Sequence, residues 1–204
     1  MRDVKRWPIL AALGTFLVGG GVAVVRGILS GAYMGRAQAW ALGNTISYYV
    51  GTSTWAAVMF AVLNFVTVLL IGYYLWQVGQ VWQMSRIYYH LVVILAVAFV
   101  WLSVCPVYYA DYMGHVSLVS RMHEVASRTM FVMMALIVLL VVLNRTASTG
   151  TRALGVVYLM FAIVSVLGYL TNGAWFTPAI LVWESSYILA FLLVMIVARE
   201  RVSL

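Results

Sequence analysis

Acidic side chains are scarce in this chain. Five Asp or Glu residues stand among 204 positions, against twelve Lys or Arg, for a formal charge of +7. Charged residues of both signs make up 8% of the sequence, where a soluble chain carries about 25%. That shortage excludes a soluble domain of ordinary size, which could not be kept in water by so few charges. The positive excess is not the footprint of a nucleic-acid binder either. The arginines are scattered between apolar runs instead of gathered on one face, so no nucleic-acid partner is expected. Cysteine occurs once, at Cys105, which excludes an internal disulfide and leaves the redox compartment undetermined. Proline is rare too, and Pro8 and Pro178 both stand where a helix would begin and the missing N–H matters least.

What fills the chain is apolar. Hydrophobic residues reach 65% and the mean hydropathy is +1.03, the composition of an integral membrane protein. Six runs have the length of a membrane-spanning helix, at residues 9–29, 55–76, 88–107, 124–143, 153–170 and 179–198. The first has the length of a secretory signal, but no small-x-small cleavage site leads into a soluble domain, so it is read as a span. The expected fold is all-α: one transmembrane domain over residues 1–204, a six-helix bundle with short loops. An even number of spans places both termini on one side. That side receives eight basic residues, at positions 2, 5, 6, 86, 145, 152, 199 and 201, and the other receives four, at 26, 36, 121 and 128. The positive-inside rule then makes both termini cytoplasmic.

Small residues recur every four positions along the first span: Thr15, Gly19, Ala23, Gly27, Gly31 and Gly35. Such a strip lets backbones approach closely. It drifts by about 40° per step because 3.6 does not divide four, so two neighbours could share it. Gly27, Gly31 and Gly35 are assigned to helix packing, together with Asn64, whose amide in the middle of the second span is expected to bond to another helix. The connection over residues 30–54 has room for an extension of the first helix or for a short helix in the membrane plane. Its Gly51-Thr52-Ser53 lacks the full G-x-S-x-G pattern of a nucleophile elbow, and no histidine is arranged to serve it. Met130, Met133 and Met134 read as flexible filler, and His90 as an interfacial histidine.

The chain's polar chemistry is concentrated at residues 108–128, YYADYMGHVSLVSRMHEVASR, between two apolar runs. This stretch holds Asp111, His115, Arg121, His123, Glu124 and Arg128. The topology brings it to the outer mouth of the bundle, beside Arg26 and beside Glu184, two turns inside the sixth span. An isolated carboxylate inside a span is costly, so Glu184 is expected to meet Arg128, Arg26 or His123, directly or through water, and to help line an outward-opening polar pocket. Arg26, His123, Glu124, Arg128 and Glu184 are therefore the candidate ligand-binding residues. Asp111, His115 and His123 supply a second possibility, a divalent metal such as Zn, whose bound water could attack an ester or amide. The spacing D-x₃-H-x₇-H-E matches none of the compact zinc motifs. Asn144-Arg145-Thr146 fits the glycosylation pattern but falls on the cytoplasmic side.

The layout resembles a family of six-span bacterial membrane proteins without an assigned activity, related to the eukaryotic FRAG1/DRAM/Sfk1 proteins. The similarity lies in Ile46-Ser47-Tyr48-Tyr49-Val50-Gly51 after the first span, Phe60 to Asn64 in the second, Pro106 at the end of the third and His123 at the opening of the fourth. Together these cover about half of the chain. The resemblance implies a bacterial plasma-membrane location and a lipid-linked or regulatory role. It implies no catalytic mechanism, and it carries no role for Asp111, His115, Arg128 or Glu184. The favoured expectation is a non-enzymatic membrane protein, either a subunit that meets another membrane chain or a binder of membrane lipids or a small solute. A metal-assisted or acid–base hydrolase acting at the outer leaflet and a small transporter or solute-capturing subunit are the alternatives. A metal at Asp111, His115 and His123 would mark the first of these. A polar cavity at the midplane would mark the second.

Overall fold

The computed structural model describes residues 4–31, 45–105, 118–170 and 180–198. Seven helices run through them: α1 (Trp7–Leu29), α2 (Ile46–Val50), α3 (Thr54–Val81), α4 (Arg86–Val104), α5 (Leu118–Leu143), α6 (Thr149–Leu170) and α7 (Ile180–Val197). All but α2 are long and apolar enough to cross a membrane, and no β-sheet occurs among the described residues. The chain is an all-α integral membrane protein. Helices suit that setting because they satisfy their own backbone polar groups where no water can.

Local chemistry sets the helix ends. Pro8 opens α1. The Ser53 hydroxyl accepts from the Ala56 amide at 3.1 Å and caps α3, and the Ser148 hydroxyl accepts from Thr151 at 3.2 Å before α6. After α1, Gly31 takes a φ of 68° and turns the chain away. After α3 the same left-handed position falls to Gln83, at φ 50°. There the Met84 amide donates to the Gly79 carbonyl at 2.9 Å, the 6→1 bond of a Schellman ending. The helices run beyond the apolar segments in several places, furthest in α3 and α5. α3 continues past Trp76 to Val81, and α5 begins at Leu118, before His123 and Glu124.

The spans pack in chain order, α1 on α3, α3 on α4, α4 on α5, α5 on α6 and α6 on α7, and α7 returns to α1. Polar groups tie the pairs at intervals. The Thr15 and Thr67 hydroxyls share a bond at 2.7 Å between α1 and α3. Asn64, buried in α3, donates to the Ser103 hydroxyl at 2.6 Å and the Phe99 carbonyl at 3.3 Å, both on α4. Three tyrosines donate to carbonyls on other helices: Tyr74 to Met195 at 2.6 Å, Tyr88 to Leu75 at 3.0 Å and Tyr187 to Phe131 at 3.0 Å. At the end holding the N-terminal side of α1, the Asn144 amide donates to the Trp82 carbonyl at 3.2 Å and joins the two loops there.

The small-residue strip of α1 meets two neighbours in turn. A Cβ at Gly19 would press on Leu63 of α3 at 3.2 Å, and one at Gly27 would run into the Tyr49 ring of α2. Gly31 lies past the helix and serves to end it. Gly35 lies outside the described residues.

Candidate functional site

The organising piece at the far end of the bundle is α2, five residues long. A helix so short does not hold itself in water, and bonds from around it fix its position. The Thr45 hydroxyl accepts from the Tyr48 amide at 3.2 Å and caps it. The Glu184 carboxylate, on α7, accepts from the Ile46 amide at 2.8 Å. His123, on α5, reaches the Ser47 hydroxyl at 2.9 Å through Nε2 and the Cys105 carbonyl at 2.6 Å through Nδ1. A carbonyl can only accept, so Nδ1 carries a proton, and in the neutral ring Nε2 accepts from Ser47. The rings of Tyr48 and Tyr49 are buried, in an edge-on pair at 5.4 Å, with Tyr49 against Gly27 of α1. α2 is thus a hub that joins α1, α5 and α7.

Arg26 belongs to the same end of the molecule. It is exposed, near the last turn of α1. Its guanidinium donates to the Ser53 hydroxyl and lies over the Trp55 ring at 5.5 Å. A cation held over a tryptophan face suits the headgroup level of a bilayer. Glu124 and Arg128 pair along one face of α5, with side chains 50% and 58% exposed. That i, i+4 pair is oriented with the acid toward the N-terminus, the better order, and exposure keeps its contribution small.

The direct partner of Glu184 is not one of the cations named from the sequence. Among the described residues Glu184 forms no ion pair with Arg26, His123 or Arg128; a backbone amide takes the place of the cation. An amide donor is invisible in composition, because every residue but proline carries one. The clue that was available was Thr45 followed by a short aromatic run, the start of a capped turn facing α7. His123 and Glu184 still act on one object, since their partners Ser47 and Ile46 are adjacent.

Asp111 and His115 lie outside the described residues. Of the candidate metal set His123 alone is described, and both of its ring nitrogens are already engaged. Among the described residues no three His, Cys, Asp or Glu side chains gather as a metal site. Ser53 caps α3 and accepts from Arg26, a structural role. Between α3 and α4, around Val68, Leu75, Val92 and Phe99, a void of about 10 Å³ remains, too small for a solute.

Set beside known proteins, the chain matches no family model, and neither a curated protein nor a solved structure matches it.

Proposed function

We propose that this is a non-enzymatic membrane protein that binds lipid at the outer end of its bundle. In this reading the polar cluster holds α2 against α1, and the surface beside it receives the lipid. One observation carries the proposal: of the polar side chains expected to line an open pocket, Glu184 and His123 bond to α2 and Arg26 to Ser53 at its flank. Glu184 takes the Ile46 amide and His123 takes Ser47. Groups so engaged suit a clasp better than general acid–base work or a solute path. The basic bias of the opposite end supports cytoplasmic termini, and the resemblance to the FRAG1/DRAM/Sfk1 relatives supports a lipid-linked role in a bacterial plasma membrane.

The test is lipid retention. The wild-type protein, purified in detergent and passed into nanodiscs, should keep phospholipid that survives detergent exchange. Glu184→Gln should lower that retention while leaving membrane insertion intact. The neutral amide accepts from Ile46 more weakly than a carboxylate does, and insertion tolerates an amide at least as well. A wild-type protein that keeps no phospholipid, or a Glu184→Gln protein that keeps as much as wild type, would sink the proposal.

A further inference from the structure

Beside the clasp, one face of α1 forms a shallow groove of about 740 Å³, open on one side. Leu17, Val18, Val22, Val25 and Leu29 line it, with Gly21 among them and Arg26 and Ser30 at its outer end. Its long axis therefore runs from mid-membrane toward the headgroups, about three and a half turns of helix. Gly21 is the notch: a Cβ built there meets nothing within 4 Å. The flanking side chains are more than a third exposed, from Val22 at 39% to Leu29 at 82%. At the outer end Arg26 is held in place by Ser53 and by the Trp55 face.

We propose that this groove is a site for one anionic phospholipid, with an acyl chain along Leu17, Gly21 and Val25 and the headgroup phosphate on Arg26. The proposal rests on the lipid-binding reading above and names the ligand class and the place. Charge complementarity selects the occupant. A groove that is apolar along its length and cationic at the headgroup end matches a molecule that is apolar along its length and anionic at its head. A guanidinium is suited to a phosphate, because its planar fork offers paired donors, and the Ser53 contact uses only part of that fork. A second transmembrane helix would also fill an apolar groove, but it would leave the cation facing the partner's end without a charge to meet.

The structure also supplies a clean variant. The Cβ of Gly21→Leu would start in open space, with nothing within 4 Å, and the side chain would grow into the groove, so the variant is aimed at the site and not at the packed core. The full-length protein would be examined by native mass spectrometry from nanodiscs of mixed phosphatidylglycerol and phosphatidylcholine. Wild type should hold one phosphatidylglycerol preferentially. Gly21→Leu should lose that adduct with a melting temperature no lower than that of wild type. Arg26→Gln should keep a lipid but lower the preference for phosphatidylglycerol about fivefold, the equivalent of one basic side chain near a headgroup. If Gly21→Leu holds phosphatidylglycerol as wild type does, the groove is not the site, and lipid binding elsewhere on the protein stands. If wild type holds no lipid, the groove and the broader reading fall together. If wild type shows equal phosphatidylcholine, or a two-chain species that Gly21→Leu abolishes, the occupant is a neutral lipid or a second copy of this chain, and the assignment to an anionic lipid is wrong.

Discussion

Gly21 and Gly27 stand less than two turns apart on α1 and obey opposite rules. A methyl at Gly27 runs into the Tyr49 ring, whereas a methyl at Gly21 meets open space. Gly27→Ala should therefore destabilise the folded protein by about 1–3 kcal/mol, the usual penalty of overpacking. Gly21→Ala should stabilise it by up to about 1 kcal/mol through a less flexible backbone. Reversible unfolding in mixed micelles would read both, and equal effects at the two sites would show that the Tyr49 contact is not close. The spacing of small residues in the sequence already marked α1 for tight packing. It could not say which glycine is covered, because that depends on a tyrosine more than twenty positions away. Asn64 was more legible: an amide in mid-span has few choices but another helix. Replacing it by Leu removes its bonds to Phe99 and Ser103 and should cost about 1 kcal/mol, in line with hydrogen bonds inside membranes. A change within error in the same unfolding assay would mean that the unfolded chain finds it equivalent partners. Gln83 is the residue no pattern announced. It occupies a left-handed turn position at φ 50° where glycine is the usual choice. Gln83→Gly should raise stability by about 1 kcal/mol, and an unchanged or lower melting point would count against strain there.

At the scale of elements, α2 and the start of α5 explain where sequence reading stopped. A helix of five residues has too few internal bonds to leave a periodic signature. Its place is written in residues far along the chain, Glu184 and His123, whose acceptor and ring nitrogens seek something polar without stating what. α5 begins six positions before the apolar run at Glu124. Arg121, Met122 and Glu124 in its first turns are exposed, so the helix runs through polar residues that a hydropathy boundary would exclude. The dependence of α2 on its clasp can be measured. Glu184→Ala removes the acceptor of the Ile46 amide and should speed hydrogen exchange across residues 46–50, with little change in α3 and α4. Uniform acceleration over the whole chain, or none anywhere, would show that α2 is not a separately held unit.

At the scale of the molecule, six spanning helices were plain in the sequence because six apolar runs of the right length leave no other arrangement. Orientation rests on charge alone, and an exposed position on the basic end decides it. In a Cys105→Ser background, cysteine introduced at Thr149 should react with a membrane-impermeant thiol reagent only after the cells are opened, and labelling of intact cells would invert the topology. The tyrosines of the bundle have a consequence for how such a protein can change over time. Tyr74, Tyr88 and Tyr187 all donate to backbone carbonyls, of Met195, Leu75 and Phe131. A carbonyl belongs to a position and not to an amino acid. Volume-matched replacements at 195, 75 or 131 leave each bond in place, while loss of a single hydroxyl removes it. Sequence drift is therefore lopsided across each fastening: one side is held to tyrosine, and the other is free to wander among apolar residues of similar size.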